Sequence, residues 1–241
     1  MKESYRDFLK RISYQNRDRA LMIGEGAFVP DRTRVFPKVD ERGRYRPFYG
    51  DTVVFGLGRQ TRGMLAQMQD KLYEGFGGCF AERLPENTLH MTLHDLSASD
   101  DLGMAAPECF MNEIGLLGLT DRDTELPDEI RMKTNYIINM VNTGLVMTLL
   151  PENEGEWDKL ERLYRLIDRV KVCPYPYLTP HITLAYFNRG GFDEHTTNAL
   201  KEAVWELNGL EKQTVVLRTD SLYYQKFMSM KEYVSVFCLH R

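Results

Sequence analysis

The apolar and polar positions of this chain switch between two periods, and each period predicts an element. "TVVFGLG" (52–58) is rich in β-branched and aromatic residues and closes on glycine, which predicts a strand. Residues 61–76 then place Met64, Leu65, Met68, Leu72, Tyr73 and Phe76 on one helical face, ended by "GFGG". "TLHMTLHDL" (88–96) alternates strictly and predicts the next strand. The same order returns later. "GLVMTLLP" (144–151) reads as a strand and 154–171 as a helix whose apolar face carries Trp157, Leu160, Leu163, Tyr164, Ile167 and Val170. "HITLAYF" (181–187) reads as a strand again. From Val53 to His90 is 37 residues and from Leu145 to His181 is 36, and both units end on His-x-Thr-Leu. Two strand–helix–strand units of matching size predict an internal duplication, with two lobes facing each other.

The flanking segments read as elaboration. Residues 4–19 predict a short charged helix, 104–118 another, and 194–208 a third. "EIRMKTNYIINMV" (129–141) predicts a strand pairing with 144–150, and "TVVLRTDSLYYQKF" and "YVSVFCLH" the closing antiparallel strands. The class is α+β with much antiparallel sheet. Between the first helix and the first strand lies "PDRTRVFPKVDERGRYRPFYGD", with three prolines, two glycines and no period. It carries Arg32, Arg34, Lys38, Arg42, Arg44 and Arg46, and reads either as a solvated loop or as a basic arm near a phosphate site.

Composition changes this picture little. The 241 residues are 43% hydrophobic and 27% charged, ordinary for a soluble globular protein. A formal charge of −4 gives no bulk attraction to nucleic acid or membrane, so any phosphate-binding surface must be local. The charged N-terminus lacks the apolar run of a signal peptide and no segment approaches a membrane span, so the expectation is a cytoplasmic protein without membrane association. Cys79, Cys109, Cys173 and Cys238 are scattered and predict reduced thiols.

The histidines carry the chemistry. His90 and His94 are four apart, a chelating pair if helical, but in a strand they stand roughly 13 Å apart and cannot share an ion. No metal or other cofactor is expected. As a strand, His90, Thr92 and His94 share one face, and so do Thr179, His181 and Thr183. Two His-x-Thr-Leu hits among five histidines should arise by chance on the order of a few per cent of the time at average composition. Displacement at phosphorus proceeds roughly in line and needs one group to take a proton and another to give one. Two imidazoles on opposing lobes suit that task, and two threonine hydroxyls can donate to non-bridging oxygens. His94 on the face of His90 is a candidate for the cleft rim, as is Arg46 of the arm. Of Tyr223 and Tyr224 only one can face a cleft, where an aromatic could stack a base. Tyr186 falls on the apolar face.

"LHMTL" and "PHITLAYF" resemble the paired H-x-[ST]-hydrophobic motifs of the 2H phosphoesterase superfamily, specifically at the motifs and more broadly over residues 50–240. The second motif is the nearer match; after the first, "HDLSAS" departs from the usual apolar residue and glycine turn. The arm running into "YGDTVVFGL" also resembles a little-characterised bacterial branch. The resemblance implies a bilobal fold with two mainly antiparallel sheets facing a central cleft and helices packed outside. It divides the chain into an N-terminal helix and arm (1–50) and a single catalytic domain (51–241). It implies His90 and His181 as the acid–base pair and Thr92 and Thr183 as phosphate binders. The implied activity is a metal-independent phosphodiesterase acting on a cyclic phosphate or 2′-linked phosphodiester of a nucleotide or RNA end. The same site run in reverse would be an RNA 2′,5′-ligase, and without turnover a phosphate-ligand sensor. No obligate protein partner is implied.

Overall fold

The structure, a computed structural model, describes residues 3–17, 26–120, 126–172 and 177–240. In chain order the elements are α1 (Tyr5–Arg11), α2 (Arg32–Val35), β1 (Tyr49–Gly56), α3 (Arg59–Phe76), β2 (His90–Ser99), α4 (Leu102–Thr120), β3 (Glu129–Met140) and β4 (Gly144–Pro151). They continue with α5 (Glu154–Ile167), β5 (His181–Tyr186), α6 (Glu194–Leu207), β6 (Thr214–Arg218), β7 (Leu222–Ser229) and β8 (Glu232–Cys238). The predicted 4–19 helix stops at Arg11, and residues 18–19 lie outside the described residues, as does Cys173. The stretch predicted as one late strand is two, because a 3-10 turn at Thr219–Ser221 breaks it; β6 pairs with β3 and β7 with β1.

All eight strands belong to one antiparallel sheet in the order β6-β3-β4-β5-β2-β1-β7-β8. Two separate sheets are expected from the duplication, and the structure differs. β2 and β5 each have an edge left over from the hairpin-like pairings with β1 and β4, and unpaired backbone groups there would be costly. They pair with each other, through Met91 and Ile182. The sheet therefore has two four-stranded halves, each the mirror of the other in strand order, meeting at the two motif strands.

One face of the sheet is apolar and carries the helices. Val53, Phe55, Met91, Leu93, Met147, Ile182 and Leu184 pack in one continuous core with Leu65 and Leu72 of α3, Leu116 of α4, Leu160 and Leu163 of α5, and Leu200 and Val204 of α6. Met91 and Ile182 are fully buried, so truncating either to alanine should cost about 2–5 kcal/mol. That anchoring fixes which face His90 and His181 present, because a one-residue slip would bury both histidines. Two helices reach across the seam between the halves: α3, which follows β1, packs against β5, and α5, which follows β4, packs against β2 as well as β3 and β4, while α4 covers β1 and β2.

The N-terminal helix is docked by stacking. Phe8 lies 4.2 Å from the Trp157 ring of α5, whose indole N–H donates to the Glu3 carbonyl at 2.9 Å. The arm that follows is ordered where it is described: α2 is capped by the Asp31 carboxylate, and Val39 bridges Tyr45 in a tight hairpin. Val35, Val39 and Ala81 form its own small core beneath Tyr45 and Tyr186.

Candidate active site

Pairing of Met91 with Ile182 sets the geometry of both motifs. Continuing that antiparallel register by one residue each way puts His90 across from Thr183 and Thr92 across from His181. Side chains so paired stand about 4.5–5.5 Å apart at Cβ. The four residues thus form a compact square on the face opposite the helices, and each is half-buried and open to a ligand.

Both imidazoles are oriented alike. His90 Nδ1 lies 2.7 Å from the Thr88 carbonyl and His181 Nδ1 lies 2.7 Å from the Thr179 carbonyl. A carbonyl only accepts, so each Nδ1 carries a proton and donates, leaving Nε2 as the nitrogen for chemistry. The effective repeat is therefore Thr-x-His-x-Thr-Leu, in which the first threonine orients the ring through its main chain. The two orienting carbonyls are held differently. Thr88 closes a 3-10 turn and its hydroxyl donates to Pro85 at 2.7 Å. Thr179 is gripped by Arg11 of α1, which donates to its hydroxyl at 2.9 Å and to the Leu178 carbonyl at 2.8 Å while paired with Glu3.

A β-bulge follows each motif at the same place. Val54 pairs with Thr92 and Val53 with His94, skipping Leu93; Val146 pairs with Thr183 and Leu145 with Ala185, skipping Leu184. One extra residue reverses the facing of everything after it. His94 consequently turns beneath the sheet, buried against the Tyr164 ring, with Nδ1 donating to the Asp95 carbonyl and Nε2 at 2.9 Å from the Asp168 carboxylate. It is not at the cleft rim, contrary to strict alternation. The same bulges bring Asp95 and Tyr186 onto the cleft face, Asp95 opposite Thr52 and Tyr186 opposite Gly144. A Cβ on Gly144 would overlap the Ala185 carbonyl oxygen, so glycine there permits the second bulge.

The other rim candidates divide. Tyr223 pairs with Val54 on the cleft face, its ring against Gly56, the residue opposite His90. Tyr224 points the other way, its hydroxyl donating to the Asp51 carboxylate. Arg46 donates to the Phe36 carbonyl at 2.9 Å and lines a basic hollow with Arg42, Arg44 and Arg189. Sequence reasoning misses the residues that close the cleft. Tyr233 of β8 packs edge-on to His90 at 4.8 Å, backed by Phe227, and the arm adds Phe48 and Lys38. Counting by twos from Tyr223 reaches Phe227, but Tyr233 and Lys38 arrive by tertiary packing alone.

Burial pushes the His90 imidazolium down to about 4, with the positive charge of His181 adding to the effect; the Thr88 carbonyl and the Asp95 carboxylate oppose it. His90 is therefore neutral at pH 7. Burial also lowers the Lys38 ammonium, against the pull of Asp95. The Tyr186 and Tyr233 hydroxyls are held protonated by burial, with Asp95 adding to it, and the Tyr186 hydroxyl donates to the Met230 sulfur at 3.2 Å. No cluster of three or more metal-ligating side chains occurs among the described residues, and His90 and His94 lie on opposite faces of β2.

No protein-family model and no curated protein matches the chain. Among solved structures, it is similar to a conserved protein of unknown function from Agrobacterium tumefaciens, at 16% identity over 95% of this chain and 99% of that one, with a TM-score of 0.63. It also aligns with the protein TT0787 of Thermus thermophilus (17% identity, 78% and 94% covered, TM-score 0.48) and with Escherichia coli LigT complexed with 3′-AMP (16%, 80% and 97%, TM-score 0.46). At such identities the first likeness establishes a shared fold. That fold is a mixed α+β architecture with one antiparallel sheet and helices on one face, the α+β class that the sequence predicts.

Proposed function

We propose that the protein is a phosphodiesterase of the 2H phosphoesterase type, acting on a cyclic phosphate or 2′-linked phosphodiester of a nucleotide or RNA end without a metal cofactor. The observation that carries this reading is the square of His90, Thr92, His181 and Thr183 about the Met91–Ile182 pair, with both imidazoles turned by the same main-chain hydrogen bond. A phosphate over that square has one Nε2 from each half on either side and one hydroxyl from each half for its non-bridging oxygens. His90, neutral at pH 7, takes the proton of the attacking water or ribose hydroxyl. The new P–O bond forms as the old one breaks, and His181, in its protonated form, gives a proton to the leaving oxygen. Tyr223 and Tyr233 beside His90 offer aromatic faces for a base.

The test is turnover of a panel of 2′,3′-cyclic nucleotides, 2′,5′-dinucleotides and cyclic-phosphate RNA ends, with chelator present, by wild type, His90→Ala and His181→Ala. Activity that survives chelator and is lost in both variants supports the reading. Full activity in both variants overturns it. Joined rather than cleaved 2′,5′ products at equilibrium would point to ligase chemistry, and tight binding without turnover to a sensor.

A further inference from the structure

The square of four side chains holds no fixed positive charge, yet a phosphodiester is an anion and its displacement concentrates negative charge on the non-bridging oxygens. The cleft face makes this worse, because the bulge after Thr92 presents the Asp95 carboxylate to the same space. The charge of a protonated His181 is given up with its proton, and neither copy of the duplicated unit contributes a permanent cation to the square.

The arm does. Its hairpin is tied by Arg46 N–H donating to the Lys38 carbonyl at 2.9 Å and Asp40 N–H to Arg44 at 2.8 Å. Tyr45 beside it packs edge-on against Tyr186 at 5.9 Å, and Phe48 N–H donates to the Met228 carbonyl at 2.9 Å. From this fixed base the Lys38 side chain reaches into the cleft, its Nζ 5.3 Å from the Phe48 ring and 5.5 Å from the Tyr186 ring. Tyr186 in turn stands three residues beyond Thr183 of the square, on the same cleft face. Phe48 packs on Phe227 at 6.1 Å, Phe227 on Tyr233 at 5.5 Å and Tyr233 on His90 at 4.8 Å, so the aromatic wall beside Lys38 runs to the square. Among the described residues Lys38 makes no ion pair within 4.0 Å, whereas Arg44, Lys226 and Lys231 all do. Its charge is held by aromatic faces rather than by a carboxylate, so an incoming anion displaces no partner.

We propose that Lys38 is a substrate-binding residue of this cleft, its ammonium meeting a non-bridging oxygen of the phosphate that lies between His90 and His181. The proposal rests on the phosphodiesterase reading of the square, and it makes the arm a part of the active site. It also makes the site asymmetric: the cation comes from outside the duplicated units. A lysine suits the place, since a compact charge on a flexible stem can follow the phosphate as its oxygens move.

Inorganic phosphate is the direct probe, titrated in phosphate-free buffer with melting temperature and calorimetry as readouts, beside turnover of a 2′,3′-cyclic nucleotide. Lys38→Met should lose the phosphate-induced stabilisation and drop kcat/KM by about 10–100-fold, the range for a charge-assisted hydrogen bond. Lys38→Arg should restore part of both, which a merely structural role would not predict, and it remains informative should the methionine variant misfold. Wild-type phosphate affinity and wild-type turnover in Lys38→Met would overturn the proposal. If His90→Ala and His181→Ala keep full turnover, it is the phosphodiesterase reading that fails; the phosphate titration of Lys38→Met against wild type still decides whether Lys38 binds the anion.

Discussion

The two motif strands share a backbone and differ in what surrounds it. Each has a threonine carbonyl orienting a histidine, a threonine two residues on, and a bulge one residue after that. Around His90 stand Tyr233, Asp95 and the Lys38 arm; the loop before His181 is held by Arg11 of the N-terminal helix. Repeated main-chain geometry gives both halves the same chemical groups, and unrepeated side chains give those groups different tasks. On the proposed reading, those differences are what would let the site tell an attacking oxygen from a leaving one.

Removing either histidine breaks the comparison most. His90→Ala and His181→Ala should each lower kcat by about 10²–10⁴-fold, the usual span for an acid or base, measured on cyclic nucleotide. Replacing Thr92 or Thr183 by valine removes one donor to the phosphate and should cost about 10–100-fold in kcat/KM, equal losses marking a symmetric grip on the phosphate. His94→Ala separates cleft from core. It should lower stability by about 1–3 kcal/mol in denaturant melts, by removing the hydrogen bond to Asp168 and opening a cavity against Tyr164, with little change in KM. Arg11→Ala should reduce turnover only several-fold, by loosening the Thr179 carbonyl behind His181, and the loss should vanish in a His181→Ala background.

Acid titration sharpens the same contrast. In the folded chain His90 takes a proton only near 4, while in the unfolded chain it does so near its ordinary 6.5. Between those values the unfolded state binds more protons, so lowering the pH through that window favours unfolding. Wild type should therefore lose melting temperature between pH 6.5 and 4 more steeply than His90→Gln, a difference that parallel melts would show. If the two curves coincide, His90 is not the buried neutral base.

The duplicated unit is legible in the sequence because its signals are local. Alternation in "TLHMTL" and "PHITL" requires only neighbouring residues, and the apolar anchors Met91 and Ile182 sit where alternation puts them. Strict alternation fails one residue past Thr92 and Thr183. A bulge is a property of strand pairing, and nothing in "LHD" or "LAY" announces it; His94 and Tyr186 are consequently read onto each other's kind of face. Pairing of β2 with β5 is likewise invisible, since it satisfies edges that exist only once both halves have formed. Lys38 is the extreme case. In the sequence it is one of six basic residues in an aperiodic arm, and only the packing of Tyr45 on Tyr186 singles it out.

Helix contacts that cross the seam between the halves bear on how the chain assembles. The carbonyl of Leu184, left over by the bulge in β5, accepts a hydrogen bond from Gln69 of α3 at 2.8 Å, and His94 of β2 rests on Tyr164 and Asp168 at the end of α5. Each motif strand thus takes a contact from a helix encoded on the far side of the β3–β4 turn, where Val141 and Asn142 take positive φ. A polypeptide severed at that turn would yield two pieces, each containing a histidine strand and lacking one of the helices that pack on it. Neither should fold by itself, and mixing them should restore a cooperative melt.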